Sequence, residues 1–374
     1  MGKPIRVLQV GEWDFGKNGI ATIVYNLAQN IDISKYIFDF LVIEKVEDLY
    51  YKNNIEKRMG KVYELGLKKN KLKKLYEVIK ILKFIKKNNY QIIHIHESTS
   101  YSLFFYGFLF KIFGDGNIIF HSHNSNLPSG HKIKKILHKI FKNVLNLVSK
   151  NSLACSKEAA NWMYPKKYLN NVMIVKNAID FSKFLFCPQK RKKIQKELKL
   201  EKSIVLGNIG RFSEQKNQLF LVELLQYLVK KEEKIKLLLI GNGNLKEEII
   251  RKVTELNLKN NVILIENIKN IEDYYQVMDF FLLPSLYEGL PIVGIEAQAM
   301  GLPCYFSDTI TSEIKILDNV KFLNLNISYW EKVLINDLKS KINREINNKK
   351  LQEEFSIQKM CKKIECYYDA LEIN

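Results

Sequence analysis

Residues 284–303 read PSLYEGLPIVGIEAQAMGLP, and this stretch decides the fold. The apolar run Asp279-Phe280-Phe281-Leu282-Leu283 leads into it with the length and composition of a buried strand. Pro284 and Ser285 stop the strand, and Glu288-Gly289-Leu290 makes a tight turn. Pro291 suits the first position of a helix, where its missing N–H costs nothing. The three- and four-residue spacing of Ile292, Ile295, Glu296, Ala299 and Met300 is helical, and Gly301 and Pro303 end the helix. Cys304-Tyr305-Phe306 is the next strand. Strand, turn, helix and strand form the repeating unit of a parallel α/β sheet, which binds ligands at the carboxyl ends of its strands. Glu288 sits in the turn and Glu296 on the second helical turn, so two carboxylates line that crevice. The amides of Gly289 and Leu290 and the helix dipole favour an anion there. Two such glutamates alone would be ordinary surface residues. Set beside a phosphate-friendly helix start, they suit a sugar nucleotide.

The same alternation of strand and helix runs outward over the whole chain. At 374 residues it fits two domains of about 180 residues each. The expected fold is two doubly wound parallel-sheet domains facing across a cleft. Residues 1–185 form the N-terminal domain and 186–374 the C-terminal one, with the last helix crossing back to the first domain. The composition, 47% hydrophobic and 26% charged, is that of a globular protein. Cys155, Cys187, Cys304, Cys361 and Cys366 are scattered and odd in number, as expected of reduced thiols in the cytoplasm. The N-terminus enters a strand directly, so no signal peptide is expected. The net charge of +19 predicts attraction to polyanions: nucleic acid, anionic lipid headgroups or phosphorylated substrates. A basic surface without a specific partner is the alternative.

In the N-terminal half, Ile5–Val10 is the first strand and residues 11–19 (GEWDFGKNG) the loop before a helix. Gly16 and Gly19 are wrongly spaced for a dinucleotide fingerprint, yet their loop can bring backbone amides to a phosphate. Residues 71–87 read as an amphipathic helix with lysines on its outer face, and 103–113 as a buried helix. Two H-x-H pairs, His94/His96 and His121/His123, fall at neighbouring strand ends, but no carboxylate or cysteine completes a zinc set. Residues 131–150 form a basic helix with Ile133, Ile136, Leu137, Ile140, Val144 and Leu147 on one side. Such a helix either packs with its lysines outward, which is the expectation, or docks on a membrane. Asn177 lies in a KNAID segment at the end of the domain. In the C-terminal half a strand ends in GRFSEQKN, where Arg211 and Lys216 offer a planar fork and a point charge suited to a diphosphate. Ile268 follows a later strand of the same sheet.

The segment around Glu288 and Glu296 resembles the E-x(7)-E signature of retaining GT-B-fold glycosyltransferases, the glycogen-synthase-like and mannosyltransferase-like family. GNIGRFSEQKN upstream and GLPCYFSDTITSEI downstream extend the resemblance, and within the family the chain most resembles the EpsF-like enzymes that build capsular and exopolysaccharides. The resemblance implies metal-independent transfer of a sugar from a nucleotide donor, expected to be a UDP-sugar, to a hydroxyl of a glycan, with no cofactor. Arg211 and Lys216 would stabilise the departing diphosphate. Glu296 would bind the ribose, and Glu288, with the amides of Gly289 and Leu290, the donor sugar. His121 or His123 would meet that sugar from the other domain. The Gly16–Gly19 loop would approach the diphosphate and acceptor, Asn177 would belong to a hinge segment, and the backbone at Ile268 would clasp the base. The expected acceptor is lipid-linked and the expected site of action the cytoplasmic face of an anionic membrane, with no nucleic acid partner. A nucleotide-sugar epimerase or hydrolase on this fold, or a non-catalytic basic scaffold, is the alternative.

Overall fold

The computed structural model describes residues 3–371 except 12, 14, 16–18, 44, 47, 67–73, 129, 267, 269, 340–342 and 345–347. The chain divides into two compact units: Met1–Ala178 together with Ile357–Asn374, and Ile179–Ser356.

In the first unit β1 (Ile5–Gly11), α1 (Gly19–Asn30), β2 (Tyr36–Val42), α2 (Leu49–Lys57), β3 (Val62–Glu64) and α3 (Lys74–Lys87) are followed by β4 (Ile92–Glu97), α4 (Ser100–Phe113) and β5 (Asn117–Ser122). Then come α5 (Lys132–Lys142), β6 (Asn151–Ala154), α6 (Lys157–Met163) and β7 (Met173–Ile174). The second unit runs α7 (Pro188–Glu197), β8 (Ile204–Ile209), α8 (Gln218–Leu228), β9 (Ile235–Ile240), α9 (Lys246–Glu255), β10 (Val262–Ile265) and α10 (Ile271–Val277). It continues with β11 (Phe280–Leu283), α11 (Ile292–Ala299), β12 (Cys304–Ser307), β13 (Val320–Leu323), α12 (Ile327–Asp337) and α13 (Lys349–Phe355). The last helix, α14 (Ile357–Asp369), belongs to the first unit.

Both sheets are parallel and doubly wound, as expected. Their strand orders are β3-β2-β1-β4-β5-β6-β7 and β10-β9-β8-β11-β12-β13. In each the winding reverses once, between β1 and β4 and between β8 and β11, and ligands bind beyond the carboxyl ends of the strands at such a reversal. The central strands are buried on both faces, so they read as near-continuous apolar runs. Asp39 in β2 is one of the buried polar residues of these strands, and it accepts from Arg6 Nε (2.7 Å), Tyr90 (2.8 Å) and the Lys61 amide (2.7 Å). No helix among the described residues is long and apolar enough to cross a membrane.

Several expectations need correction. The first unit ends at Ala178 rather than at residue 185, because Phe181 and Phe184 are buried and the Phe184 ring meets Tyr275 of α10. The last helix is preceded by a break rather than continuous with α13: Ser356 is extended, and it pairs with Ile179, whose amide donates to the Phe355 carbonyl at 2.9 Å. The helix expected over 131–150 stops at Lys142, and a 3₁₀ turn, Leu145–Leu147, follows. Its apolar side does not pack: Ile133, Ile136, Leu137 and Ile140 are exposed. Nor is α4 buried all round, since Phe105, Phe108, Ile112 and Phe113 face solvent. The helices α2 and α10 had no sequence assignment.

Candidate functional site

In the second unit the loops after β8 and β11 meet at the sheet's reversal point. Asn217 is left-handed (φ 54°, ψ 41°), a conformation asparagine tolerates, and it turns the chain into α8. Its side chain donates to the Pro284 carbonyl at 3.2 Å. Gln215 joins the two loops twice: its carbonyl accepts from the Leu286 amide (2.8 Å) and its side chain donates to the Tyr287 carbonyl (3.0 Å). Thr309, after β12, braces the turn through the Ser285 carbonyl at 2.9 Å. Pro291 stands one residue earlier than expected, as the cap of α11 rather than its first residue.

This bracing brings Lys216 and Glu288 together. Lys216 Nζ lies 2.7 Å from Glu288 Oε1, with both side chains largely covered. Gly210 makes room for the lysine stem, since a Cβ there would stand 3.3 Å from its Cδ and Cε. Arg211 is on the same loop but exposed. Gly289 and Leu290 lie directly before α11 in a buried turn. Glu296 is also buried, and Tyr275 of α10 donates to its Oε2 at 2.7 Å. Burial pushes the Glu296 carboxyl up to about 7, against the opposing pull of the Tyr275 hydrogen bond. Ile268 is half-buried beyond β10, where Lys246 pairs with Glu266 at 2.7 Å.

In the first unit the four histidines form two hydrogen-bonded pairs. Neighbouring parallel strands in register, His96 beside His121 and Gln9 beside His94, stack the rings side by side. His94 Nε2 is 3.2 Å from His121 Nδ1, and His94 Nδ1 is 2.7 Å from the Tyr368 hydroxyl of α14. His96 Nδ1 is 2.9 Å from His123 Nε2, and its other nitrogen is 2.8 Å from Gln9 Oε1. Burial keeps all four imidazoles neutral: it pushes His94 and His123 down to about 3 and His96 and His121 well below the usual value. Asn177 hydrogen-bonds His123 and opposes that fall. His121 Nε2 is buried without a hydrogen-bond partner among the described residues. His94, His96 and His121 are the one set of three potential metal ligands among those residues, with nitrogens within 4.8 Å of one another. His94 and His96 use both ring nitrogens in the hydrogen bonds just given, and His121 uses its Nδ1. Gly19 opens α1, and Gly16 lies outside the described residues.

The structure thus joins Lys216 to Glu288 and His123 to Asn177. Tyr275, Tyr368 and Gln9, which hold the candidate residues, were not anticipated. The H-x-H spacing carried a signal for the last two, because alternate residues of a buried strand need buried partners. For Tyr275 no sequence signal was available beyond an unassigned short helix.

Two doubly wound parallel sheets, one presenting a lysine and two carboxylates at its reversal point, place the chain among the open α/β proteins that bind ligands at that point. Residues 189–359 match the family described as Glycosyl transferases group 1. Over 329 residues the chain is 30% identical to the glycosyltransferase EpsF of Bacillus subtilis (strain 168), covering 85% of this chain and 84% of that one. It is 26% identical over 331 residues to the UDP-Gal:alpha-D-GlcNAc-diphosphoundecaprenol alpha-1,3-galactosyltransferase of Escherichia coli, 81% of each chain. The structure of Anabaena HepE in complex with UDP and glucose superposes with a TM-score of 0.79 at 15% identity, over 98% of this chain and 100% of that one. The chain belongs to the group 1 glycosyltransferases and has their GT-B fold.

Proposed function

We propose that this glycosyltransferase moves a sugar from a UDP-sugar to a hydroxyl of a lipid-linked glycan, retaining the anomeric configuration, in capsular or exopolysaccharide synthesis. The Lys216–Glu288 pair at the start of α11 carries the reading: it sets a cation for a diphosphate beside a carboxylate for sugar hydroxyls. Arg211 adds a second, exposed cation on the same loop. Glu296, steadied by Tyr275, accepts from the ribose hydroxyls. In the first unit His121 offers the sugar its open nitrogen, and His123 is held by Asn177 and His96.

The bond between the anomeric carbon and the diphosphate oxygen breaks, and the acceptor oxygen bonds to that carbon on the same face. The acceptor proton passes to the departing diphosphate, whose charge Lys216 and Arg211 neutralise without a divalent ion. Support for uridine and for a polyprenol-linked acceptor comes from what the E. coli and Anabaena relatives are named for. Sites at the inner face of a membrane accord with the net charge of +19.

The test is incubation with a panel of nucleotide sugars and a polyprenol-diphosphate-linked glycan, with and without EDTA. A product whose anomeric configuration by NMR matches the donor, formed equally with EDTA, is expected. Inversion, or activity restored only by magnesium or manganese, would overturn the mechanism. Free sugar without an acceptor product would identify a hydrolase instead.

A further inference from the structure

An amphipathic helix on a globular protein normally turns its apolar stripe inward; α5 does the reverse. Ile133, Ile136 and Ile140 are 75%, 59% and 56% exposed, while His138 is the buried residue of the helix. His138 clamps α5 to the unit: its Nδ1 accepts from the Ser100 amide (3.0 Å), its Nε2 donates to the Trp162 carbonyl (3.0 Å), and its ring lies flat on Trp162 at 3.9 Å. At about 100° per residue, Ile136 and Ile140 stand roughly 160° from His138 on either side, and Ile133 roughly 140° away. The isoleucine stripe therefore points straight out. Beside it α4 exposes Phe105, Phe108, Ile112 and Phe113, and the two helices touch through Phe104 and Phe141, whose rings are 5.0 Å apart. Lys132, Lys135 and Lys139 are exposed along one flank of the stripe, and no acidic residue occurs between Asp115 and Glu158.

We propose that α5, with the exposed edge of α4, is an insertion element that lies in the headgroup–acyl boundary of an anionic bilayer. The isoleucines enter the acyl region and the flanking lysines meet lipid phosphates. This rests on the membrane-side reading above and changes its physics, from attraction of a charged surface to burial of an apolar one. The charge decides among occupants. A second copy related by a twofold axis would set lysine against lysine across the same face, whereas an anionic bilayer complements it. A nucleic acid backbone would leave the isoleucines unused.

The experiment uses the full chain and two kinds of vesicle, pure phosphatidylcholine and a mixture of one-third phosphatidylglycerol with two-thirds phosphatidylcholine. Co-sedimentation with the mixed vesicles that persists in part at high salt is expected, because insertion outlasts screening. The triple variant Ile133→Gln/Ile136→Gln/Ile140→Gln should bind the mixed vesicles about tenfold more weakly or worse. It should fold normally by circular dichroism, since it changes residues already exposed, and keep its affinity for UDP. The variant Lys132→Gln/Lys135→Gln/Lys139→Gln should lose the preference for the anionic vesicles. Wild-type affinity in the isoleucine variant, complete release by salt, or no vesicle binding together with self-association in the centrifuge would each overturn the proposal. If vesicle binding fails while UDP binding stands, only this inference falls; if UDP binding fails while vesicle binding stands, the donor reading falls instead.

Discussion

At the proposed donor site, removing Lys216 should do more than delete one phosphate contact. Glu288 is 7% exposed, and without the lysine at 2.7 Å its negative charge would face the diphosphate directly. Lys216→Ala is expected to weaken UDP binding by about 1.5–3 kcal/mol, roughly ten- to a hundredfold. Adding Glu288→Gln to it should recover part of that loss in calorimetry, whereas a further loss would separate Glu288 from the anion. Arg211, being exposed, should contribute less. Glu296 supplies a second test. Its carboxyl is pushed up to about 7 by burial, so it goes from proton-bound to ionised through neutral pH. The ionised form is the better acceptor for ribose hydroxyls, and UDP affinity should therefore rise through about pH 7. Tyr275 stabilises the carboxylate, so Tyr275→Phe should move that midpoint upward. An unmoved midpoint would remove Glu296 from the binding equilibrium.

Among the elements, α11 shows why backbone spacing can matter as much as side chains. Gly301 ends it with φ +72°, and a Cβ there would stand 2.4 Å from the Arg344 carbonyl oxygen. That arginine is buried and donates to the Met300 carbonyl (2.8 Å), the Met278 carbonyl (2.8 Å) and the Tyr275 carbonyl (3.0 Å), so it ties the end of α11 to α10. Gly301→Ala is expected to lower stability by about 2–4 kcal/mol, read from denaturant midpoints. Little change would mean that the Arg344 segment yields freely. The strand–turn–helix run over 279–303 was legible because each local signal agreed: apolar run, proline, glycine, helical spacing. The pairing of Lys216 with Glu288 and of Tyr275 with Glu296 was not, because it depends on which loops the winding of the sheet brings together. The face of α5 was misread for a related reason. Periodicity shows that a helix has an apolar stripe but not which side the neighbouring helix covers.

At the scale of the molecule the buried histidines set an acid limit. His94 and His123 have folded values of about 3 against an ordinary value near 6.5, so the unfolded chain binds more protons in that interval. Stability present above about pH 6.5 should be lost progressively as pH falls toward 3. Among the described residues Glu296 has the opposite sign, between its ordinary range and about 7, and four imidazoles outweigh it. Thermal midpoints that stay level from pH 7 to 5 would contradict this.

The imidazole chain also reaches across the sequence. His94 and Tyr368, hydrogen-bonded at 2.7 Å, are 274 residues apart, and Tyr36 meets Asp369 of the same helix at 2.6 Å. A ribosome adding roughly 5–20 residues per second makes β4 some 14–55 seconds before it makes the tyrosine. In that interval the second unit is synthesised whole, while the first waits with its central strands lacking their last helix. Order of synthesis and order of completion are thus reversed between the two halves.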